Sequence, residues 1–476
     1  MASTCTLHIL HTNDLHSQFS NMPRIASCLK QQRAAWEERG DYVLTVDIGD
    51  HLDRYNIKTE ASWGHANVQV LNESGYQYVT IGNNEGVTLP KDKLDALYQH
   101  AAFTVIVSNL LELDGTLPRW AVPFAIHRWN QLQVAILGVT VSYASVYETI
   151  GWNSQEPHEL LRQQIDSLRE QVDAIILLSH LGYNQDVELA KQFPQIDVIL
   201  GAHSHHLLKQ GERIGHTLIT QAGKYGDYIG HVELTIDLSG KSVTAAQSEL
   251  LAAADYPADQ ALLSFLEQEE QKSRQVLCQE AAILRRDLPV AWDRESPLAT
   301  FLAASLRQWT GAEIGLANSG LLLKSLPAGS VTKLDLLQSL PHPINPCTLL
   351  LTGEELWQLL QACLQPRLIE RQLHGFGFRG KVMGWMAVDG LEIDYRDDEH
   401  PVITQIRLAG NPIERNQLYR VATVDMFIFN RLFPQLQEGR DLTFFLPEML
   451  REIILETVSD EHLLESCFAT RWHKLA

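Results

Sequence analysis

Ile196-Asp197-Val198-Ile199-Leu200-Gly201-Ala202-His203-Ser204-His205 carries the reading of this chain. An apolar run ends in a glycine and then two histidines one residue apart. Alternate side chains of an extended segment point the same way, so both imidazoles face one side. The pattern recurs four times nearer the N-terminus. Leu7-His8-Ile9-Leu10 leads to Asp14-Leu15-His16, and Tyr42-Val43-Leu44-Thr45-Val46 leads to Gly49-Asp50. Tyr78-Val79-Thr80-Ile81 leads to Gly82-Asn83-Asn84-Glu85, and Ala174-Ile175-Ile176-Leu177-Leu178 leads to Ser179-His180. In an alternating strand–helix chain, polar motifs at strand ends converge on one edge of a sheet.

The residue types at those ends suit metal ions. Asp14 and His16 can face one ion together. Asp50 has two oxygens with which to bridge a pair, and Gly49 before it lets the backbone turn sharply. Asn83 offers a neutral oxygen, and His180, His203 and His205 offer imidazole nitrogens. A lone histidine or a strand ending in aspartate is usually structural. Five such motifs, all at strand ends, point to a site for two divalent metal ions (Mn, Zn, Fe, Co or Mg), with mixed N/O ligation disfavouring Ca. Two protein-held metals suggest hydrolysis of a phosphate ester or anhydride.

Around this core the chain reads as α/β. Helical segments are expected at 22–38, 61–73, 91–100, 159–172 and 186–193, and further strands at 102–109 and 134–139. Strands covered on both faces read as continuous apolar runs, as these do. Segment 217–237 reads as antiparallel strands with Gly223 and Gly226 at a turn. Segment 259–275 is a polar helix, of the kind that bridges domains. Helices at 297–310 and 353–363 then mix with strands at 391–395, 402–408 and 418–422. The expected division is 1–251 for the metal domain, 252–287 for a linker helix and 288–476 for a C-terminal domain.

The 476 residues carry 38 basic and 58 acidic side chains, a net charge of −20. That balance argues against a nucleic-acid polymer as partner. A small anionic molecule remains compatible, because metal ions supply local positive charge. No signal peptide and no membrane-spanning run is visible. The six cysteines are scattered without a CxxC pair, so free thiols and a cytoplasmic location are expected.

The series Asp14-x-His16, Gly49-Asp50, Gly82-Asn83, His180 and Gly201-x-His203-x-His205 resembles the calcineurin-like metallophosphoesterases. The context is similar to the 5′-nucleotidase/UDP-sugar hydrolase family over nearly the whole chain. Ala317-Asn318-Ser319-Gly320 resembles its Asn-x-Gly-Gly turn. Leu326-Pro327-Ala328-Gly329, Leu351-Thr352-Gly353-Glu354-Glu355-Leu356 and Tyr419-Arg420-Val421-Ala422-Thr423 also match. The resemblance implies a metallophosphoesterase αββα sandwich joined to a 5′-nucleotidase-type C-terminal α/β domain that binds nucleosides. It implies that Asp14, His16, Asp50 and His205 hold one metal, and Asp50, Asn83, His180 and His203 the other. A metal-bridging hydroxide would then attack the phosphorus of a nucleotide or nucleotide sugar.

The chain departs from that pattern at instructive places. The family's Gly-Asn-His-Glu-Phe-Asp appears as Gly82-Asn83-Asn84-Glu85-Gly86-Val87. Asn84 therefore stands at the catalytic histidine, and asparagine cannot shuttle a proton. His51 could replace that acid, and Arg54 could bind phosphate; the alternative is that both are loop residues at the rim. The family's substrate-binding arginine falls on Leu323, beside Lys324. Trp385 and Phe433 fall near the aromatic pair that holds the base, although such rings more often pack a core. Gly375-Phe376-Gly377-Phe378-Arg379-Gly380 could line the pocket, with Arg379 as an anion contact, or form a hairpin. With Asn318 and Gly320, these residues form the expected substrate set. The expected activity is a metal-dependent phosphohydrolase of the 5′-nucleotidase type. The alternatives are a phosphodiesterase or nucleotide pyrophosphatase, or a catalytically weak nucleotide-binding protein.

Overall fold

The structure is a computed structural model that describes residues 4–375, 377–397, 401–430 and 432–475. Phe376, read above as part of a possible pocket segment, lies outside the described residues. The chain divides into two compact units, Met1–Ser273 and Arg274–Ala476. The division falls inside one helix, Gln260–Leu277. The N-terminal part of that helix is tied to the first unit, where Lys58 pairs with Glu270 at 2.8 Å. The strand after the helix, Glu280–Leu284, belongs to the second unit and pairs with Gly329–Thr332. The division between the units thus lies within segment 252–287.

The first unit stacks two sheets. One runs Ser242–Ala252, Tyr228–Asp237, Thr4–Thr12, Tyr42–Asp47, Tyr78–Val79, Thr104–Ile106, Ala121–Val122 from edge to edge. The other runs Glu212–Ile214, Thr217–Thr220, Val198–Gly201, Ala174–His180, Gln133–Thr140, Phe124–Arg128. The strands that end in polar motifs lie beside one another in parallel: Leu7 opposite Tyr42 and Val46 opposite Tyr78 in one sheet, Ile176 opposite Val198 in the other. Leu7, Ile9, Leu44 and Val46 from one sheet meet Ile136, Ile176, Val198 and Leu200 from the other in a fully buried core. On the outer face of the second sheet, Leu161, Ile165 and Leu168 of helix His158–Leu168 and Leu189 of helix Tyr183–Gln192 bury against Ile175, Leu177 and Ile199. Burying a leucine or isoleucine side chain is worth about 1.5–3 kcal/mol, so these two apolar layers fix the sandwich.

Two local expectations are corrected. Segment 61–73 is two helices, Ile57–Ser62 and His65–Ser74, broken where Trp63 and Gly64 turn left-handed (φ 52° and 85°). The break lets the Trp63 ring lie 4.4 Å from the Arg54 guanidinium. Segment 217–237 is not a hairpin. Thr217–Thr220 pairs parallel with Val198–Gly201, while Tyr228–Asp237 pairs antiparallel with Thr4–Thr12 in the other sheet. Gly223 and Gly226, both at positive φ, turn a crossover between sheets.

In the second unit a five-stranded sheet runs Met386–Asp389, Ile314–Asn318, Leu418–Val424, Pro346–Thr352, Arg440–Phe444. A four-stranded sheet contains Val402–Leu408 and Leu391–Arg396. Helix Gly353–Cys363 begins at Thr352, whose side chain accepts from Glu355 N while Glu355 accepts from Thr352 N, a capping box. Among the described residues no helix is long and apolar enough to cross a membrane, and all six cysteines are free.

Candidate metal centre

The loops after the parallel strands zip together through their backbones. Asp14 N donates to Gly49 O at 3.0 Å, His16 N to Asp50 O at 2.7 Å, and Ser17 N to His51 O at 2.8 Å. The chain must bend hard to do this. Asp14, His16, Asp50, His203 and His205 all sit in the left-handed region, with φ between 47° and 67°. Such conformations cost of order 1–3 kcal/mol each and collect at functional sites. Glu85 holds the second and third loops by accepting from Asp50 N (3.0 Å), Leu52 N (2.8 Å) and Gly82 N (2.9 Å). Asn13 holds the first, donating to Asp14 Oδ2 and to Gly223 O, both at 2.7 Å. Neither Glu85 nor Asn13 was assigned a role from sequence, although both lie inside the quoted motifs or beside them.

These bends gather two donor groups, Asp14 with His16 and His205, and Asp50 with His180 and His203; within each, ligand atoms lie within 4.8 Å of one another. Asp50 touches both, 3.8 Å from His16 Nε2 and 3.5 Å from His180 Nε2. Asp14 is 3.4 Å from His205 Nε2. The fit to divalent ions rests on what the buried atoms lack. His180 gives Nδ1 to Ile48 O at 2.6 Å, and its Nε2 is buried with no hydrogen bond. Asn83 donates Nδ2 to Asn84 Oδ1 at 3.2 Å, and its Oδ1 is likewise buried with no hydrogen bond. A ring nitrogen beside two carboxylates and an amide oxygen, both desolvated, suit a cation that would displace the imidazole proton.

Charge is distributed accordingly. Burial works against a charged His180, yet Asp50 and Asp14 hold its pKa up at about 10. Burial would raise Asp50, yet His180 keeps it well below the usual carboxylate range. Burial and the His180 charge push His203 down to about 4. Burial and the Asp50 charge raise Glu85 to about 7.

The residues expected to be catalytic are placed differently from the expectation. Asn84 lies at the centre, but its amide is turned to protein partners. Nδ2 lies 3.0 Å from His16 Nδ1 and 3.0 Å from Leu52 O, and Oδ1 accepts from Asn83. His51 is buried, with Nδ1 3.1 Å from Asn67 Nδ2. Burial pushes its pKa down to about 3, so it carries no extra proton to give. Arg54 is 1% exposed and grips Glu60 with two nitrogens, at 2.8 and 3.1 Å, and Thr88 O at 2.9 Å. It braces the loop and is not presented to a phosphate.

The substrate set of the second unit is also largely internal. Asn318 is fully buried and donates to Met383 O at 2.6 Å. Gly320 is packed so tightly that a Cβ would lie 1.9 Å from Val382 O. Phe433 is 1% exposed and meets Phe427 edge-on at 5.0 Å, a core ring rather than a base-stacking one. Trp385 is buried against Trp472 at 5.4 Å. Arg379 donates its backbone N–H to His342 Nδ1 at 2.9 Å, and Phe378 beside it stacks on His342. Leu323 is exposed, and Lys324 turns to Asp335 and Gln338.

Comparison with known proteins agrees with this architecture. Residues 7–207 match the calcineurin-like phosphoesterase family, and residues 277–435 match the 5′-nucleotidase C-terminal domain. The chain is 42% identical over 452 residues to the Bacillus subtilis protein described as "Uncharacterized metallophosphoesterase YunD", covering 94% of this chain and 98% of that one. Its fold is similar to the 5′-nucleotidase precursor of Thermus thermophilus, at a TM-score of 0.58 and 22% identity over 99% of both chains. It is also similar to the Haemophilus influenzae NAD nucleotidase, at a TM-score of 0.67 and 16% identity over 99% of this chain and 98% of that one. With both halves matched in order and a relative alike over nearly its whole length, this chain belongs to the calcineurin-like metallophosphoesterases that carry a 5′-nucleotidase C-terminal domain, a family of phosphate-ester hydrolases.

Proposed function

We propose that this enzyme hydrolyses a phosphate ester or anhydride of a small nucleotide-like molecule at a pair of divalent ions. The carrying observation is that Asp50, a member of one donor group, lies within 4 Å of a histidine of each. Asp14, His16, Asp50 and His205 would hold one ion, and Asp50, Asn83, His180 and His203 the other. When bound, such ions supply Lewis acidity to phosphoryl oxygens and acidify a water. The protein's own part is to fix the donors through the Glu85 and Asn13 clamps and to exclude competing conformations.

The placement of Asn84 supports a preference among leaving groups. Its amide is held by His16, Leu52 and Asn83, and asparagine has no proton to transfer. An alkoxide leaving group needs protonation, whereas a phosphate leaving group does not. Missing general-acid help costs about 10²–10⁴-fold, so phosphoanhydrides and activated esters are the favoured substrates. The test is phosphate release by metal-free protein and by protein loaded with Mn²⁺ or Zn²⁺. The panel is AMP, ADP, a UDP-sugar, a dinucleotide and bis-p-nitrophenyl phosphate, with a coupled phosphatase where the product is a monoester. Metal-dependent turnover, fastest on a diphosphate-linked substrate, is expected. A higher rate on AMP overturns the preference, and no turnover with both ions bound overturns hydrolysis itself.

A further inference from the structure

Near the two donor groups, several side chains that carry a donatable hydrogen are already committed. Asn84 is held by its neighbours and Arg54 by Glu60, while His51, which accepts from Asn67 Nδ2 through Nδ1, is buried. Tyr143 is different. It sits just before helix Ala144–Ile150, where the Gln133–Thr140 strand has ended at the same sheet edge as His180. The residue is 42% exposed, and its hydroxyl lies 3.3 Å from His203 Nε2.

The chemistry of that contact decides what the hydroxyl can do. A neutral imidazole that gives one nitrogen to a metal ion keeps its hydrogen on the other. If His203 Nε2 is the ligand atom, its lone pair is used and cannot accept from the phenol. If Nδ1 is the ligand atom, Nε2 bears the hydrogen and donates to the phenol oxygen. In both cases the Tyr143 O–H has no acceptor on His203 once the site is loaded. It stays 3.3 Å from a proposed ligand of the centre and can turn its hydrogen to an acceptor there. A neutral phenol is a hydrogen-bond donor.

We infer that Tyr143 is a further catalytic residue, whose hydroxyl donates a hydrogen bond to a phosphoryl oxygen of the bound ester or anhydride. No proton is transferred, and the bond strengthens as negative charge gathers on that oxygen. The inference rests on the hydrolase reading above. Tyr143 would supply an oxyanion donor in a centre where Asn84 is occupied.

Tyr143→Phe tests this, beside the wild-type enzyme loaded with the same ion. Wild-type turnover is measured first; its absence condemns the hydrolase reading and the inference with it. Given that turnover, the variant should keep wild-type metal content by elemental analysis and its unfolding midpoint, since the change removes one oxygen and leaves the ring in place. Its kcat should fall about 10²-fold, with KM changed far less. Inhibition by orthovanadate, which mimics the charged transition state, should weaken by a similar factor. Unchanged kcat and unchanged vanadate inhibition overturn the inference. Loss of metal from the variant also overturns it, because Tyr143 would then act by positioning His203.

Discussion

At the scale of single residues, the seven proposed metal ligands depend on the side chains that support them. A ligand announces itself by chemical type at a strand end. Glu85, Asn13 and the turned amide of Asn84 act through groups that only the fold brings near. Asp50→Ala should cut metal-dependent turnover by about 10³-fold, equivalent to roughly 4 kcal/mol, with measured metal content falling in parallel; full metal content and full turnover would refute its bridging place. Asn84→Ala should loosen His16 and weaken metal affinity about 10–100-fold, readable by calorimetric titration; an unchanged affinity would mean that the 3.0 Å contact with His16 holds nothing. Both readings of His51 and Arg54 stood open in the sequence, because proximity to Asp50 along the chain says nothing of where a side chain turns. Their partners, Asn67 and Glu60, come from helices that fold back over the loop.

At the scale of elements, the helices Met22–Glu38, Pro297–Thr310 and Gly353–Cys363 were read at their observed bounds, because apolar periodicity and caps are local signals. The 217–237 segment was misread because two apolar runs around glycines look alike whether the chain doubles back or crosses to a second sheet. Strand-end turns carry the tightest tolerances. A Cβ on Gly82 would lie 2.1 Å from Asp50 Oδ1 and 2.5 Å from His180 Cε1. Gly82→Ala should therefore lose metal and activity while its far-ultraviolet circular dichroism stays native, and an active, loaded variant would contradict that packing. Helix Tyr183–Gln192 brings Asp186 under Gly201, where Ser179 donates to it at 2.5 Å. Burial raises that carboxyl from 3.8 to about 7. A raised folded-state pKa stabilises the protein below the ordinary carboxylate range, and this contribution fades as pH rises through about 7. Every tenfold gain in proton affinity on folding is worth about 1.4 kcal/mol. Denaturant midpoints should fall from pH 4 towards pH 7 more steeply in the wild type than in Asp186→Asn; parallel curves would refute the assignment.

At the scale of the whole molecule, ions that bind the folded first unit and not its unfolded chain should act on that unit alone. At a hundredfold excess over Kd, one bound ion stabilises by about 2.7 kcal/mol. For a unit of this size that is a rise of roughly 5 °C in Tm. Calorimetry with and without a chelator should therefore move the transition of the first unit and leave that of the second in place. A shift of both, or of neither, would show that the ions are not held where the donor groups lie.

The left-handed backbone at Asp14, His16, Asp50, His203 and His205 has an evolutionary consequence. At each of these positions glycine would relax the chain, whereas aspartate and histidine tax it. In a protein that had ceased to bind metal, drift would be rewarded five times over for discarding those side chains. Their joint survival in this sequence weighs against the reading of a retired enzyme kept only as a nucleotide binder. The same logic inverts a familiar mutational ranking. In metal-free protein His205→Gly should be more stable than His205→Ala by about 1 kcal/mol, because alanine inherits the strain of φ 56° without the ligand that justifies it.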